Sequence, residues 1–414
     1  MNPELAEAAV AAVRRYGSPL YLYDLARLKA DAAAVRSAFA DPWLRLYSLK
    51  ANGLPALVRE VAAQGYGASC VSGGELALAW RAGLAPTQTT LEGVGKSRVD
   101  LAQVARLAAA GKALLWVSLE SPEEAAELAG RVRRAGVRQD VLVRVNPGVS
   151  PETSRGLAVG AADSKFGVLA QELPAVIEAG GGPDGPLRWR GLHLHVGSQL
   201  GAVDAWRSAF RLGLRLLELQ RATLTDFDTL DAGGGFPVTD VTGSVPSAAR
   251  FAEEAAAELD ALPLAARPAR LAVEPGRALV AGCGWLVGRV LHVRARERQI
   301  VVLDAGMTEL IRPALYGAEH PMLALTSLGR PTGEQEAGVA PVRVDGPVCE
   351  STDTLGWATL PPLERGDVVA VGLAGAYGSA MASTYNGRPR SPEIAWDGER
   401  LTVWRRRGSL RALP

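Results

Sequence analysis

The sequence predicts an α/β protein in which a (β/α)8 TIM-like barrel is followed by a mostly antiparallel β domain. Eight apolar, strand-like runs alternate with helical segments between residues 44 and 273, and a span of about 230 residues is typical of such a barrel. After about residue 280 the long helical segments stop, while short strand-like runs and turn residues continue. Alternating strands and helices favour a parallel sheet, and turn-linked strands favour an antiparallel one.

The predicted barrel strands are short apolar runs that each end near Gly, Asn or Pro. The helical segments between them carry apolar residues three and four positions apart. The strands lie near residues 44–50, 67–71, 89–92, 113–118, 141–145, 191–196, 228–232 and 270–273. The helices include residues 55–64, 74–82, 98–110, 121–135, 170–179, 203–221 and 247–261.

The two ends of the chain are expected to share one domain. Helices at 4–16 and 24–40 flank a short strand at 20–23, which can pair with the strands after residue 280. We therefore expect a barrel domain at 28–280 and a β domain at 281–414, joined by residues 1–27. The later strands are predicted at 286–293, 299–303, 342–344, 367–371 and 400–404, and surface loops at 183–186 and 326–338.

The composition argues against several classes of protein. Lys and Arg total 45 against 44 Asp and Glu, so the basic excess typical of nucleic-acid and membrane-surface proteins is missing. No apolar run approaches the roughly 20 residues of a membrane span, and the first residues lack a signal-peptide pattern. Cys70, Cys283 and Cys349 show neither zinc nor disulfide spacing, which favours a cytoplasmic protein.

Lys50 lies at the predicted carboxyl end of the first barrel strand, directly before Asn52, Gly53 and Pro55. Active sites of (β/α)8 barrels lie at this end of the strands. An amine there either extends into water or forms a Schiff base with a bound aldehyde. This stretch alone favours the first interpretation, so the decision depends on the other strand ends.

Two other strand ends carry groups suited to a flat, anionic cofactor. Gly233-Gly234-Gly235 follows the seventh strand, where barrels often bind phosphate through backbone N–H groups. Glu274-Pro275-Gly276-Arg277 follows the eighth. Its carboxylate can hold a pyridine nitrogen protonated, and its guanidinium can bind a phosphate or carboxylate. The alternatives are a tight turn and a surface ion pair.

His193 and His195 end the sixth strand and share one of its faces. Zinc would need a third ligand, which the neighbouring sequence does not offer, so we expect no metal. Such a histidine is most often hydrogen-bonded in the core. The functional alternative is an imidazole stacked on a flat cofactor, with Ser198 at its phosphate. In the second domain, Cys349 beside Glu350 is either a packing residue or a general acid.

Together these motifs resemble the pyridoxal-phosphate-dependent decarboxylases built on the alanine-racemase-like barrel, the fold type III enzymes. The resemblance extends from residue 21 to residue 393, with the motifs in family order. Each motif alone is modest, whereas the ordered set is specific. The matching stretches are 47–52, 71–76, 163–167, 193–199, 233–236, 274–277, 346–351, 374–378 and 382–389.

The resemblance implies pyridoxal 5'-phosphate as cofactor and a role for each site residue. Lys50 would form the Schiff base, His195 would stack on the ring, and Glu274 would face the ring nitrogen. Cys349 would donate the proton that replaces carbon dioxide. The implied cofactor-binding residues are Lys50, His195, Ser198, Gly235, Glu274, Pro275, Gly276, Arg277 and Tyr377. The implied substrate contacts are Arg277, Arg312, Tyr316, Glu350 and Tyr377.

The family also implies a homodimer with shared active sites, because Cys349 and Glu350 match positions that reach the cofactor of the partner subunit. The motif set is most similar to members that convert meso-2,6-diaminopimelate to L-lysine and carbon dioxide, the last step of lysine biosynthesis. Arg312 and Glu350 suit a substrate whose far end carries a carboxylate and an ammonium group. The alternatives are the same chemistry on another amino acid such as ornithine, lysine or arginine, a racemase, or a non-catalytic relative.

Three places depart from the family pattern. Ser69 stands where the family usually has Asp, so the strand arginine Arg144 is expected to lack its usual counter-charge. Glu92 to Lys96 replace the usual His-Gly-Asn-Asn-Lys, and Val159 replaces threonine. These changes are expected to leave cofactor binding intact and to bear on the choice of substrate.

Overall fold

The computed structural model describes residues 1–149, 153, 160, 164–239, 243–332 and 340–412. They divide into two compact units. The barrel unit comprises Ala32–Val238 and Val245–Ala278, and the β unit comprises Met1–Asp31, Thr239–Ser244 and Leu279–Pro414. Within the described residues, no helix combines the length and the apolar character needed to cross a bilayer.

Eight parallel strands of the barrel unit pair in chain order and close, because the last strand pairs with the first through Leu44 and Ala272. The predicted (β/α)8 barrel is confirmed. Leu46, Trp116, Leu142 and Ala272 come from opposite sides of the barrel and form one buried cluster, so their side chains meet inside it. With Leu20–Asp24 as β1, the barrel strands are β2 Leu44–Ser48, β3 Gly67–Cys70, β4 Thr89–Leu91, β5 Trp116–Leu119, β6 Gln139–Arg144, β7 Leu187–His193, β8 Thr229–Asp231 and β9 Arg270–Val273.

The helices begin at local signals in the sequence. Ser72, Ser97, Ser121 and Ser247 each accept a hydrogen bond from a backbone N–H in the first turn of the helix that follows, which satisfies one of the unpaired N–H groups there. The helices are α1 Pro3–Tyr16, α2 Leu25–Ala38, α3 Pro55–Ala62, α4 Gly73–Arg81, α5 Arg98–Ala109, α6 Pro122–Arg134, α7 Leu173–Ala179, α8 Asp204–Gln220, α9 Ala248–Asp260, α10 Arg277–Val280 and α11 Arg312–Tyr316.

The β unit is built on one mostly antiparallel sheet that includes the N-terminal strand. β1 pairs antiparallel with Gly284–Arg294 and parallel with Glu393–Trp396. The later strands are β10 Gly284–Arg294, β11 Ile300–Leu303, β12 Met322–Ala324, β13 Thr326–Ser327, β14 Arg330–Pro331, β15 Ala340–Asp345, β16 Thr354–Leu360, β17 Val368–Val371, β18 Glu393–Trp396 and β19 Leu401–Arg405. The main order is β16-β15-β11-β10-β1-β18-β19, with β17 on β10 and β12 on β17.

Several elements of the β unit were not predicted. β12, β16, β18 and the helix α11 were missed, and the predicted loop at 326–338 begins with the small hairpin of β13 and β14. β16 contains Gly356 and the exposed Trp357, so its sequence lacks a clear alternation, and its partner β15 supplies the pairing instead. Residues 333–338 of that loop, and the motif positions Val159 and Asp163, lie outside the described residues.

Aromatic side chains fix the loop that follows β8. Trp206 and Phe210 of α8 stack with ring centroids 5.3 Å apart, and Phe236, directly after the glycine run, packs on Phe251 at 5.2 Å. The indole Nε1 of Trp206 donates to the carbonyl of Ala232 at 3.1 Å. The glycine run is therefore held at both of its ends, at Ala232 before it and at Phe236 after it.

Candidate active site

Lys50 lies two residues beyond the end of the strand that was predicted to contain it. β2 ends at Ser48, and Lys50 belongs to a single 3-10 turn, Leu49–Ala51. The turn is anchored because the backbone N–H of Ser48 donates to the carbonyl of Pro275 at 3.1 Å. The Lys50 side chain is exposed, yet its positive charge lies close enough to help lower the pKa of both His193 and His195. The amine is therefore accessible and near the other strand ends.

The glycine run after β8 is packed against the neighbouring strand ends. A Cβ at Gly234 would lie 2.2 Å from the carbonyl oxygen of Glu274, and one at Gly233 would lie 2.2 Å from that of Leu194. Only glycine fits at these distances. The N–H of Gly233 donates to Asp231 Oδ1 at 2.9 Å, whereas the N–H groups of Gly235 and Gly276 have no acceptor in the described part of the chain.

His195 is held as a neutral ring. Its Nδ1 accepts a hydrogen bond from the backbone N–H of Gly234 at 3.2 Å, so the ring proton lies on Nε2. Burial lowers the pKa of His195 well below its usual value, and the charges of Lys50 and Arg144 lower it further. An uncharged, flat ring with a fixed tautomer follows from these contacts.

Ser198 and Arg277 meet at the barrel mouth. The guanidinium donates to Ser198 Oγ from Nε at 3.3 Å and from Nη2 at 3.2 Å. Arg277 is 7% exposed, and Pro275 and Gly276 join it to the end of β9. A largely buried guanidinium beside a hydroxyl is well suited to bind an anionic group.

Three buried carboxyl groups surround His193. Its Nε2 lies 3.5 Å from Glu274 Oε2 and 3.7 Å from Glu92 Oε2, and Asp231 faces the same acids from the end of β8. Among the described residues, neither Glu274 Oε1 nor Asp231 Oδ2 has a hydrogen-bond partner. No Lys or Arg within those residues forms an ion pair with Glu92, Asp231 or Glu274. The cluster is therefore acidic and lacks a protein cation.

The cluster changes the protonation of its members. Burial raises the pKa of Glu92 to about 8, with the charge of Glu274 as the next cause. Burial, with the charges of Glu274 and Glu92, also raises the pKa of Asp231 well above its usual value. Burial lowers the pKa of His193 to about 4. At neutral pH, Glu92 therefore holds a proton and His193 is neutral, and the same environment favours the protonated form of Asp231.

The fold brings two further possible metal ligands to His193 that the neighbouring sequence does not offer. Possible ligand atoms of Glu92, His193 and Glu274 all lie within 4.8 Å of one another, although the three residues are far apart in the chain. Among the described residues, His195 is not part of this set. The expectation of no metal stays a prediction.

Arg144 does have a counter-charge, so the expectation based on Ser69 was wrong. Glu120 follows β5, and its Oε1 lies 3.1 Å from Arg144 Nη1, with both side chains buried. Its Oε2 accepts from the N–H of Gly167 at 3.0 Å. Burial opposes the charge of Glu120, but Arg144, Lys96 and that N–H outweigh it and lower the pKa of this carboxyl. Glu120 follows β5, which pairs with the strand of Arg144 but lies two strands along from Ser69 of β3, so a motif comparison at Ser69 does not reveal it.

The remaining predicted residues belong to the β unit. Arg312 is 7% exposed, and its guanidinium lies over the ring of Tyr377, 5.7 Å from the centroid. Tyr377 has a left-handed backbone, with φ of 60°, and Tyr316 ends α11. Cys349 and Glu350 are exposed next to each other. The unit thus brings Arg312 to Tyr377 and presents Cys349 with Glu350.

Two residues that contact Cys349 and Glu350 had no predicted role. Tyr385 donates its hydroxyl to Glu350 Oε1 at 2.6 Å, and Asn386 Nδ2 lies 3.4 Å from Cys349 Sγ. Asn386 adopts φ of 57°, a conformation that asparagine tolerates better than most residues. Both lie in the matched stretch 382–389, so the motif contained the signal without assigning it a function.

Comparison with known proteins decides the family. The model of the pyridoxal-dependent decarboxylases, pyridoxal binding domain, matches residues 25–281. The chain belongs to the pyridoxal-dependent decarboxylase family. A curated diaminopimelate decarboxylase of Deinococcus radiodurans is 37% identical over 398 residues, which cover 96% of this chain and 94% of the relative.

Solved structures of decarboxylases agree with this assignment. The diaminopimelate decarboxylase of Helicobacter pylori, crystallised with L-lysine, is 31% identical, has a TM-score of 0.88 and covers 97% of each chain. A lysine/ornithine decarboxylase of Vibrio vulnificus, crystallised with putrescine, has a TM-score of 0.79 at 24% identity, with 96% of this chain and 99% of the other covered. At that identity the second structure supports only the shared fold.

The barrel unit of this decarboxylase fits pyridoxal phosphate, the cofactor of the family. A protonated pyridine nitrogen would supply the cation that the acidic cluster lacks, and Glu274 Oε1 is an unused acceptor for it. The N–H groups of Gly235 and Gly276, with Arg277 and Ser198, offer donors for a phosphate. The exposed Lys50 amine is available to an aldehyde. Each part of the cofactor has a chemically matching group.

Replacing Glu120 with Gln in this decarboxylase tests the buried pair with Arg144. We expect the free energy of unfolding at pH 7 to fall by about 2–4 kcal/mol, because the buried guanidinium loses its counter-charge. A lowered carboxyl pKa stabilises the fold above the unfolded pKa of about 4.3, and the benefit disappears as pH falls through the folded value. The difference in the free energy of unfolding between variant and wild type should therefore become smaller in acid.

Urea unfolding at several pH values measures this difference. The matched control is Glu178→Gln, which changes an exposed acid of α7 and should alter stability by no more than about 0.5 kcal/mol. A Glu120→Gln protein as stable as wild type at pH 7 would contradict the proposed importance of the pair.

Proposed function

We propose that this protein is a carboxy-lyase that decarboxylates meso-2,6-diaminopimelate to L-lysine and carbon dioxide, the last step of lysine biosynthesis. The observation that carries the proposal is similarity over nearly the full length to relatives named diaminopimelate decarboxylase, at 37% and 34% identity. The Helicobacter pylori relative was crystallised with L-lysine, which is the product expected here. The acidic cluster and the accessible Lys50 add independent chemical support.

The cofactor would be held by the strand ends of the barrel unit. Lys50 would hold its aldehyde carbon, and Glu274 would accept the ring N–H. The neutral ring of His195 would lie against the cofactor face, where a charged imidazolium would repel a protonated ring. The phosphate would be bound by Ser198, Gly235, Gly276 and Arg277, next to Pro275.

When bound, pyridoxal phosphate supplies a ring that accepts the electron pair left by departing carbon dioxide. Glu274 would keep the ring nitrogen protonated, which would make the ring a stronger acceptor. Lys50 would hold the cofactor through its amine between turnovers. Cys349, whose side chain is exposed, is assigned the proton that returns to the α carbon, because it matches the proton donor of the family.

Substrate selection is assigned to the β unit. Arg312 would bind the distal carboxylate, and Glu350 the distal ammonium group. Tyr316 and Tyr377 complete the predicted contacts, and Tyr377 already supports the Arg312 guanidinium. A substrate without the second carboxylate would leave a largely buried arginine poorly matched, which costs binding energy.

We extend the proposal to the assembly and its location. Residues 28–280 would form the cofactor-binding domain, which agrees with the family match at 25–281, and residues 281–414 with 1–27 the β domain. The protein would act as a homodimer in which Cys349 and Glu350 serve the site of the other subunit. A cytoplasmic location is supported by three cysteines that are all free.

Lys50→Ala should remove the visible absorbance of the bound cofactor and reduce turnover to background, because no other amine lies at that strand end. The absorbance spectrum of the purified protein measures this directly. Lys112→Ala changes an exposed lysine elsewhere and is the matched control, with an unchanged spectrum expected. A spectrum that survives in Lys50→Ala would mean that one of the other four lysines holds the cofactor.

Incubation with meso-2,6-diaminopimelate and pyridoxal phosphate should yield L-lysine and carbon dioxide in equal amounts. Ornithine, lysine and arginine should be decarboxylated at least about 100-fold less efficiently, because each leaves Arg312 without its carboxylate. Chromatography of the products distinguishes lysine from diamines. Formation of a diamine as the main product would show that another amino acid is the substrate. No product from any of these amino acids would refute the proposed function.

Mixing Lys50→Ala with Cys349→Ala tests the shared sites. Each variant alone should be inactive, but exchange of subunits creates one intact site per mixed dimer. About a quarter of wild-type activity should return when equal amounts recombine at random. Activity that stays at background after confirmed subunit exchange would show that each site uses residues of a single chain.

A further inference from the structure

Glu92 is a buried acid to which no role has been assigned. It follows β4, is 4% exposed, and its Oε1 accepts the hydroxyl of Thr90 at 2.8 Å. Its Oε2 lies 3.7 Å from the same nitrogen of His193 that lies 3.5 Å from Glu274 Oε2. Glu92 and Glu274 therefore share one imidazole, and the charge of Glu274, the acid proposed to bind the ring nitrogen, acts on Glu92.

The groups around Glu92 do not balance a second negative charge. Lys50 and Arg144 lower the pKa of His193 through their charges, but within the described residues neither forms an ion pair with Glu92 or Glu274. His193 itself is neutral, because burial lowers its pKa to about 4. Three carboxyl groups at such a site cannot all be ionised at neutral pH. The titratable groups that face Glu92 are Cys70 of β3, Glu75 of α4, His193 of β7, Asp231 of β8 and Glu274 after β9.

We propose that Glu92 is a positioning residue for the ring nitrogen of the cofactor: it is protonated before the cofactor binds and releases that proton to solvent when the positive ring N–H lies against Glu274. In this step the O–H bond of Glu92 breaks and a solvent water takes up the proton; the bond between Lys50 and the cofactor aldehyde forms in the same way whether or not Glu92 is present. The positive ring offsets the second carboxylate, and the second carboxylate in turn helps to keep the ring nitrogen protonated. This inference rests on the proposed cofactor site.

The proposal makes cofactor binding depend on pH. Release of a proton means that affinity rises with pH until Glu92 is ionised in the cofactor-free protein, near pH 8, and is level above that. Glu92→Gln keeps the size of the side chain and an acceptor for Thr90, but it has no proton to release. Any pH dependence that Lys50 and the cofactor phosphate add to binding is common to wild type and Glu92→Gln. It therefore cancels in the ratio of their dissociation constants.

The test measures dissociation constants of pyridoxal phosphate by quenching of tryptophan fluorescence in the cofactor-free full-length protein. Between pH 6.5 and 8.5, the ratio of the Glu92→Gln constant to the wild-type constant should rise about tenfold. Glu75→Gln is the matched control. It removes a neighbouring carboxyl whose Oε2 accepts the N–H of Val71 and which does not share His193 with Glu274, so its ratio should be constant.

A second variant leaves the acid in place. Thr90→Val removes the hydroxyl that stabilises the charged form of Glu92, so the affinity should become level at a higher pH than in wild type. The same change made in Glu92→Gln should leave the pH profile unaltered. Thermal unfolding of each variant shows whether the fold is intact.

The outcomes separate the two proposals. A wild-type protein that binds the cofactor, with a Glu92→Gln variant of identical pH profile, would refute the role of Glu92 and leave the proposed function standing. A wild-type protein that does not bind pyridoxal phosphate at any pH would refute both.

Discussion

A buried carboxylate that lacks a protein cation is the constraint on which the barrel mouth depends. Glu274 follows β9, is 4% exposed, and has only the neutral His193 within ion-pair distance in the described part of the chain. Burying such a charge alone is costly. The cost is offset if the missing cation belongs to a ligand. A protonated pyridine is such a cation, and burial raises the pKa of the neighbouring acids Glu92 and Asp231.

The backbone around this acid leaves little freedom. The N–H of Glu274 donates to the carbonyl of Gly233 at 2.9 Å, and the glycine run fits only because it has no Cβ atoms. The same run fixes His195 through the N–H of Gly234. One short loop therefore sets the ring tautomer, the position of the acid, and the N–H of Gly235, which has no acceptor among the described residues. Rigid support of this kind is what a positioned cofactor requires.

Much of this arrangement could be predicted from the sequence. The barrel follows from eight alternating segments, because strand and helix periodicities differ clearly and parallel strands place their carboxyl ends together. Lys50, His195, Gly235 and Glu274 were identified because each follows a strand. Distances across the barrel could not be predicted. The pairing of Arg144 with Glu120, and the contact of Glu92 with His193, join residues from different strands whose spacing in the chain carries no such information.

The β unit was predicted less well for a related physical reason. Its short strands are stabilised by their partners in the sheet, and Gly356 and Trp357 conceal the alternation of β16. Tyr385 and Asn386 lay inside a matched motif, but their contacts with Glu350 and Cys349 appear only after folding. Roles that depend on a single chemical group at a strand end were accessible from sequence, and roles that depend on a contact were not.

The protonation of the cofactor ring tests the central claim most directly. Pyridoxal phosphate labelled with 15N at the ring nitrogen can be bound to the wild-type protein and to Glu274→Gln, and the nitrogen resonance recorded by NMR. A protonated nitrogen in wild type that becomes unprotonated in the variant is the predicted result. An unprotonated nitrogen in the wild-type protein, or a resonance unaffected by the substitution, would contradict the account.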